Sequence, residues 1–409
     1  MNSPDFPTRI AFDEALLIVE EVAARARMPL EQRPLSRCLG AVLGEDLVAP
    51  RDLPGFDNAA MDGFALRSID AVDPGVTLRV AGEQFAGARL DLRVEAGQCV
   101  RITTGAAMPA GADAVVMKED TRADGESILL TRAVAQGQHL RRAGEDIRAG
   151  KLALRAGEVL APASLGLAAA LGLPMLSVHR RPTVAVFTTG DELVPPGQAL
   201  APGQIHDSNR ALLMGLLVAD GYEPVAWPVL PDDPARIAAA LGDAASSFDV
   251  VLTCGGVSAG EKDYLPEFLA REGSIHFWKV RMRPGMPLLA GRLGDAQFLC
   301  LPGNPVSVLA TYLTLGRGLL DGLQGRGTPR RRWQARLAAD FEKRHDRLEF
   351  LRGRLDPDGE GGLSVLPNPA DGSHRLHAAA ASNALIVLPA NERRFTAGRV
   401  VDVLLLGPD

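Results

Sequence analysis

The sequence predicts an α/β multidomain protein: a central domain on a parallel sheet, flanked by two mainly-β domains and a connecting region. Three observations carry this reading. At 409 residues the chain exceeds what one compact core organises, so two to four domains are expected. Between residues 179 and 327, strand-like and helix-like runs alternate, as parallel strands with helices on both faces require. On either side the texture changes to short alternating runs between glycines, which reads as β structure.

Taken in order, Phe12, Ala15, Leu16, Val19, Val22 and Ala23 recur at helical spacing and predict an amphipathic N-terminal helix. Residues 1–50, with an extended connector and short helix at 145–178, form the connecting region. Runs such as Val76–Val80 and Gln98–Ile102 place a small β domain over 51–144. The central domain, 179–327, takes strands at 183–188, 223–230 and 250–253, and helices at 209–219, 235–245 and 265–271. A short strand pair at 275–280 and 298–301 and a long helix from Pro305 complete it. Strand texture returns at 333–338, 348–355, 384–388 and 400–406, so 328–409 is a C-terminal β domain.

Composition excludes several classes. Net charge is −6 and aromatic content 5%, which fits neither a phosphate-backbone binder nor a base-stacking platform. Cys38, Cys99, Cys254 and Cys300 form no C-x-x-C pair, so a thiolate metal site is not expected. With no signal-like N-terminus, the expectation is a reduced, cytoplasmic protein. The apolar stretch 165–178 is broken by Gly166, Gly172 and Pro174, too short and interrupted to span a bilayer.

Ligands of open α/β sheets bind beyond the carboxyl ends of the strands. Three central loops share that position: Thr188-Thr-Gly-Asp-Glu192; Gly255-Gly256 with Ser258, Gly260 and Asp263; and Pro302-Gly-Asn-Pro-Val-Ser307. Glycine there lets backbone N–H groups approach an anion, and a following helix start adds donors. Any single loop is explained by turn and capping needs alone. Three together, with carboxylates in two of them, point to an oxyanion held with a divalent cation, since the negative charges would otherwise repel. Lys279, Arg281 and Arg283 alternate at strand spacing, which suits either a solvated face or neutralisation of a multiply charged ligand.

The motif series Asn58-Ala-Ala-Met-Asp-Gly-Phe-Ala65, Thr103-Thr-Gly105, Arg142-Ala-Gly-Glu-Asp146, Thr189-Gly-Asp-Glu-Leu193, Gln204-Ile-His-Asp-Ser-Asn209, Gly255-Gly-Val-Ser258 to Asp263-Tyr264, and Leu301-Pro-Gly-Asn-Pro-Val-Ser307 closely resembles the molybdopterin molybdenumtransferase (MoeA) family. The likeness runs from about residue 8 to 408. It implies a central molybdenum-cofactor-biosynthesis fold in a homodimer. The implied reaction inserts molybdate into adenylylated molybdopterin, with Mg2+-dependent release of AMP. It implies further that 255–263 and 302–307, through Gly255, Gly256, Ser258, Pro302, Gly303, Asn304 and Ser307, hold the nucleotide and phosphates.

By the same resemblance, Glu192, Asp232, Asp233 and Asp263 would position the metal, and Lys279 and Arg283 would neutralise oxyanions. Asp62, Thr104 and Asp146 would close the cleft from a second subunit, and Arg352 and Ser373 would come from the C-terminal domain. An upstream molybdopterin adenylyltransferase is an implied partner. The chain departs from the family at Arg283-Pro-Gly-Met-Pro287, where K-P-G-K-P is usual, and at Leu376-His-Ala378 in place of paired serines. The alternatives are a paralogue acting on another oxyanion such as tungstate, a non-catalytic dimeric scaffold, and adenylyl transfer to molybdopterin.

Overall fold

The computed structural model describes residues 6–87, 91–257, 264–370 and 372–407. In the central domain the elements run β1 (Thr8–Ile10), α1 (Phe12–Arg25), β2 (Val184–Thr188), α2 (Ser208–Ala219), β3 (Val225–Ala226), α3 (Pro234–Ser247), β4 (Val250–Cys254), α4 (Leu265–Glu272), β5 (Ser274–Val280), β6 (Leu289–Leu293), β7 (Ala296–Leu301), α5 (Pro305–Thr311) and α6 (Arg317–Leu323). The sheet is seven-stranded, in the order β1-β5-β6-β7-β4-β2-β3. β2, β4 and β7 are buried along their whole length, as parallel strands covered on both faces must be.

Three sequence expectations are corrected here. The sheet is mixed, because β6 runs antiparallel to both β5 and β7; it also separates the two strands expected to be neighbours. The strand expected over 223–230 is only Val225–Ala226. And residues 8–25 belong to the central domain rather than to the connecting region. β1 pairs with β5, and α1 lays Ala15, Val19 and Ala23 into the main core. α1 meets α6 closely enough that a Cβ on Gly322 would stand 2.6 Å from that of Ala23. Glycine is what lets the two helices approach.

The connecting region is held by pairing of Leu30–Pro34 with Met175–His179, beside the helix Pro162–Ala170. The small β domain is a six-stranded sheet. In the C-terminal domain, Leu348–Pro357, Leu363–Pro367, Trp333–Leu337, Val400–Leu405 and Ala384–Leu388 pair in that order, and the last returns to the first, closing a barrel. Closure leaves its strands without a free edge.

The barrel is sewn to the central domain by Met282–Arg283, which pairs with Leu348–Glu349. At this seam Arg281 lies 3.4 Å from Asp346 and Arg283 3.7 Å from Glu349. His345 Nε2 stands 3.2 Å from the buried Glu349 carboxylate. Burial, with Arg283, Arg347 and Lys343 nearby, holds the His345 imidazole down at about 4. The folded chain therefore binds fewer protons there than the unfolded chain between pH 6.5 and 4, and acidification through that window withdraws stability. His345→Gln should flatten this part of the profile, read from denaturant midpoints measured across that pH range; an unchanged profile would remove His345 as its cause.

Candidate functional site

The parallel register decides where the loops emerge. Thr188 faces Cys254, and Cys254 faces Leu301, so β2, β4 and β7 end level. The ladder continues one step beyond the strands: Thr189 N–H donates to the Cys254 carbonyl at 3.2 Å and Gly255 N–H to Leu301 at 3.0 Å. The described parts of the three predicted loops thus open side by side. They line one cleft of about 480 Å3, together with Ile205–Asn209, Asp232, His374 and Leu376. That volume suits a nucleotide-sized ligand.

Glycine is required at two points in this rim. Gly255 has φ +99°, and a Cβ on it would stand 2.9 Å from Thr189 Oγ1. Gly190 has φ +143°, and a Cβ there would strike the Glu192 carboxylate. Gly303 lies beside Gly255, its ideal Cβ 4.0 Å from the Gly255 Cα.

Electrostatically the described lining is acidic. It carries Glu192, Asp207 and Asp232, with His206 and His374 and no lysine or arginine among the described residues. Asp207 is 2% exposed and structurally committed: it accepts from Thr188 Oγ1 at 2.6 Å and from Arg210 N at 3.1 Å, capping α2. Its charge is also met by the Arg210 side chain at 3.2 Å. Glu192 is exposed and Asp232 half-buried. Cys254 also reaches the lining, but burial pushes its thiol up, so it stays protonated and is no nucleophile.

The remaining sequence candidates fall in several places. Gly255, Gly256, Gly303 and Asn304 line the cleft, while Ser258 and Asp263 lie outside the described residues. Pro302 and Ser307 are buried in the turn and first helical coil beneath it. The free donors expected at the start of α5 are largely taken. Val306 N–H goes to the Ser373 carbonyl at 3.1 Å, and Ser307 and Val308 N–H to Asn304 at 2.9 and 3.0 Å. Ser373 therefore meets this site through its backbone.

Asp233 does not line the cleft. It caps α3, accepting from Ala235 and Arg236 N–H at 2.9 and 3.0 Å, just before Pro234 at the first helical position. Arg352 is 3% exposed and also absent from the lining. Its guanidinium donates to the carbonyls of Arg375, Ala370 and Gly372, bracing the loop that delivers His374. It is a positioning group.

Lys279 has φ +71°, and its Nζ lies 4.1 Å over the Trp278 ring. Trp278 Nε1 in turn donates to the Val257 carbonyl at 3.0 Å, so Lys279 flanks the root of the second loop. Arg283 is instead engaged with Glu349 at the barrel seam. Asp62, Thr104 and Asp146 belong to the first β domain and its border and do not line this cleft within one chain. Asp62 accepts from Thr104 N and Oγ1 at 2.7 and 2.8 Å, bonds that hold its carboxyl below the usual range. Asp146 is exposed.

Sequence reasoning passed over Thr189, His206, Asn209 and His374 as site residues, although all four lie in or beside the motifs quoted above. Asn209 donates through Nδ2 to the Gly303 carbonyl at 2.7 Å, tying α2 to the third loop.

Comparison with known proteins divides the chain into three matched regions and groups α1 with the N-terminal one, although α1 packs on the central sheet. The MoeA N-terminal region (domain I and II) matches residues 10–172, a probable molybdopterin binding domain matches 185–322, and the MoeA C-terminal region (domain IV) matches 334–406. Molybdopterin molybdenumtransferase of Haemophilus influenzae is 37% identical over 93% of this chain and 96% of its own. The chain belongs to the MoeA family. Molybdopterin molybdenumtransferase 2 of Mycobacterium tuberculosis is likewise 37% identical, over 90% of this chain and 93% of its own. The solved molybdopterin biosynthesis MoeA protein of Pyrococcus horikoshii OT3 superposes with a TM-score of 0.82 at 29% identity, covering 97% of this chain and 99% of that one.

In this MoeA-family chain Met286 stands against the Arg347 guanidinium, 3.7 Å from Sδ to Nη1, so the segment that lost a lysine keeps a cation beside it. Gly255→Ala should keep the fold but lower the thermal midpoint, since φ +99° strains any Cβ and the Thr189 carbonyl also stands 3.1 Å away. Its added methyl group at φ +99° should displace the Thr189 side chain and weaken nucleotide binding by at least tenfold. Calorimetric titration with AMP checks this; unaltered affinity would show that the loop does not contact the ligand.

Proposed function

We propose that this chain is a molybdopterin molybdenumtransferase: it binds adenylylated molybdopterin in the cleft beyond β2, β4 and β7, releases AMP, and places molybdate on the dithiolene. The activity is the one its relatives are named for. The observation that carries the reading to this cleft is its charge. A nucleotide-sized pocket lined by the carboxylates Glu192 and Asp232, with no basic side chain among its described residues, favours a diphosphate that arrives with a divalent cation.

The donors present fit Mg2+. Glu192 and Asp232 offer hard carboxylate oxygens, and Mg2+ is commonly held by one or two carboxylates together with substrate phosphates. Among the described residues no group of three or more His, Cys, Asp or Glu side chains forms a metal site by itself, which agrees with a metal completed by the substrate. When bound, Mg2+ would neutralise the phosphates and polarise the anhydride.

The chain's own groups do the positioning. The ladder from Thr189 through Cys254 to Leu301 fixes the spacing of the loops. Asp207 anchors α2, and Arg352 holds the loop bearing His374 against the rim. Lys279, at the root of the second loop, favours negative charge there. Asp62, held ionised by Thr104, and Asp146 are suited to approach the cleft from a second copy of the chain.

The test incubates the purified chain with adenylylated molybdopterin, Mg2+ and molybdate, following AMP release and molybdenum content together. Both are expected to rise in step. Glu192→Gln should raise the Mg2+ needed for half-maximal AMP release by about tenfold or more, as loss of a metal-supporting group generally does. AMP release indifferent to molybdate would favour another oxyanion as the substrate, and no release would contradict the assignment.

A further inference from the structure

Two cleft residues each carry a buried polar atom with no partner among the described residues: Thr189 Oγ1 and Asn209 Oδ1. Both residues line the cleft, and Thr189 is only 7% exposed. Burying a polar atom without a partner is costly, so folded chains rarely leave one beside a ligand cleft without a use for it.

Their chemistry limits what can satisfy them. Asn209 Nδ2 faces the Gly303 carbonyl at 2.7 Å; a carbonyl cannot donate, so the amide orientation is fixed and Oδ1 is left as an acceptor only. A phosphate oxygen is an acceptor too and would be repelled. The group that meets Oδ1 must carry an N–H or O–H. Thr189 Oγ1, on the neighbouring loop, can donate as well as accept. A ligand hydroxyl, which itself does both, can satisfy either atom.

We propose that Thr189 and Asn209 are specificity-determining residues that read a hydrogen-bond donor on the non-phosphate part of the nucleotide, while the phosphates lie elsewhere in the cleft. The proposal rests on the transferase reading for the nature of the ligand and deepens it. A ribose hydroxyl is the favoured source of the donor, and the exocyclic amine of the base offers the same bond.

The two substitutions differ in a useful way. Thr189→Val keeps the shape and removes a hydroxyl that bonds to nothing in the described protein, so the free chain should be as stable as the parent or slightly more so. Asn209→Ala also breaks the clamp on Gly303 and can loosen the third loop. Thr189→Val is therefore the primary variant.

The experiment titrates wild type and both variants, with Mg2+ present, against AMP, 2′-deoxy-AMP, 3′-deoxy-AMP and inosine monophosphate, and records thermal midpoints of the free proteins. Thr189→Val should weaken AMP about five- to tenfold without lowering the midpoint. The nucleotide lacking the group that is read should bind wild type more weakly by a similar factor and be nearly indifferent to the substitution. Selective weakness of a deoxynucleotide assigns the ribose; selective weakness of the inosine nucleotide assigns the amine. Equal binding of all four nucleotides, with AMP affinity unchanged in both variants, overturns the proposal and leaves the transferase reading standing. Failure of wild type to bind AMP at all overturns both.

Discussion

The structure depends on one alignment: β2, β4 and β7 run parallel and in step, so Thr188, Cys254 and Leu301 lie level across the sheet. A shift of one residue in any of the three strands would reverse its inward and outward side chains. It would also withdraw one loop from the rim. The register is secured by burial on both faces, since these strands share their apolar side chains between two cores, one beneath α1, α2 and α5 and one beneath α3 and α4. Packing on both faces of the sheet thus fixes the geometry of a polar site at its edge.

That edge has an unusual balance. Its described charged and titratable side chains are carboxylates and imidazoles, set beside apolar Leu193, Ile205 and Leu376, while neighbouring arginines work elsewhere. Arg210 is spent on Asp207, Arg283 is engaged by Glu349, and Arg352 on backbone carbonyls. These arginines hold loops and domains together, and the described lining keeps its carboxylates without a lysine or arginine among them. On the proposed reading, an anionic ligand brings or shares a metal there, and its binding is conditional on that metal.

Much of this was legible in the sequence because it follows from local rules. Buried runs such as Val184–Thr188 and Val250–Cys254, with Gly-rich loops after them, announced the rim, and Pro305 marked a helix start. What escaped notice depends on distant partners. β1 is a three-residue edge strand and β6 carries Gly291 and Arg292, so neither shows a strong apolar period. Asp233 could have been read as a cap from the proline that follows it, yet the family resemblance implied a metal ligand. Arg352 has the look of an anion-binding arginine until the 370–375 loop is seen folded over it. Thr189 and Asn209 are ordinary residues whose importance lies in bonds they do not make.

The central claim, that the acidic rim takes a phosphate ligand only together with a divalent cation, is tested most directly by measuring AMP affinity over a Mg2+ titration, with a chelator-treated sample as the zero point. The account predicts that affinity climbs at least tenfold as Mg2+ is added and that bound nucleotide and bound metal rise together. Equal affinity in the chelator-treated and Mg2+-saturated samples would contradict it.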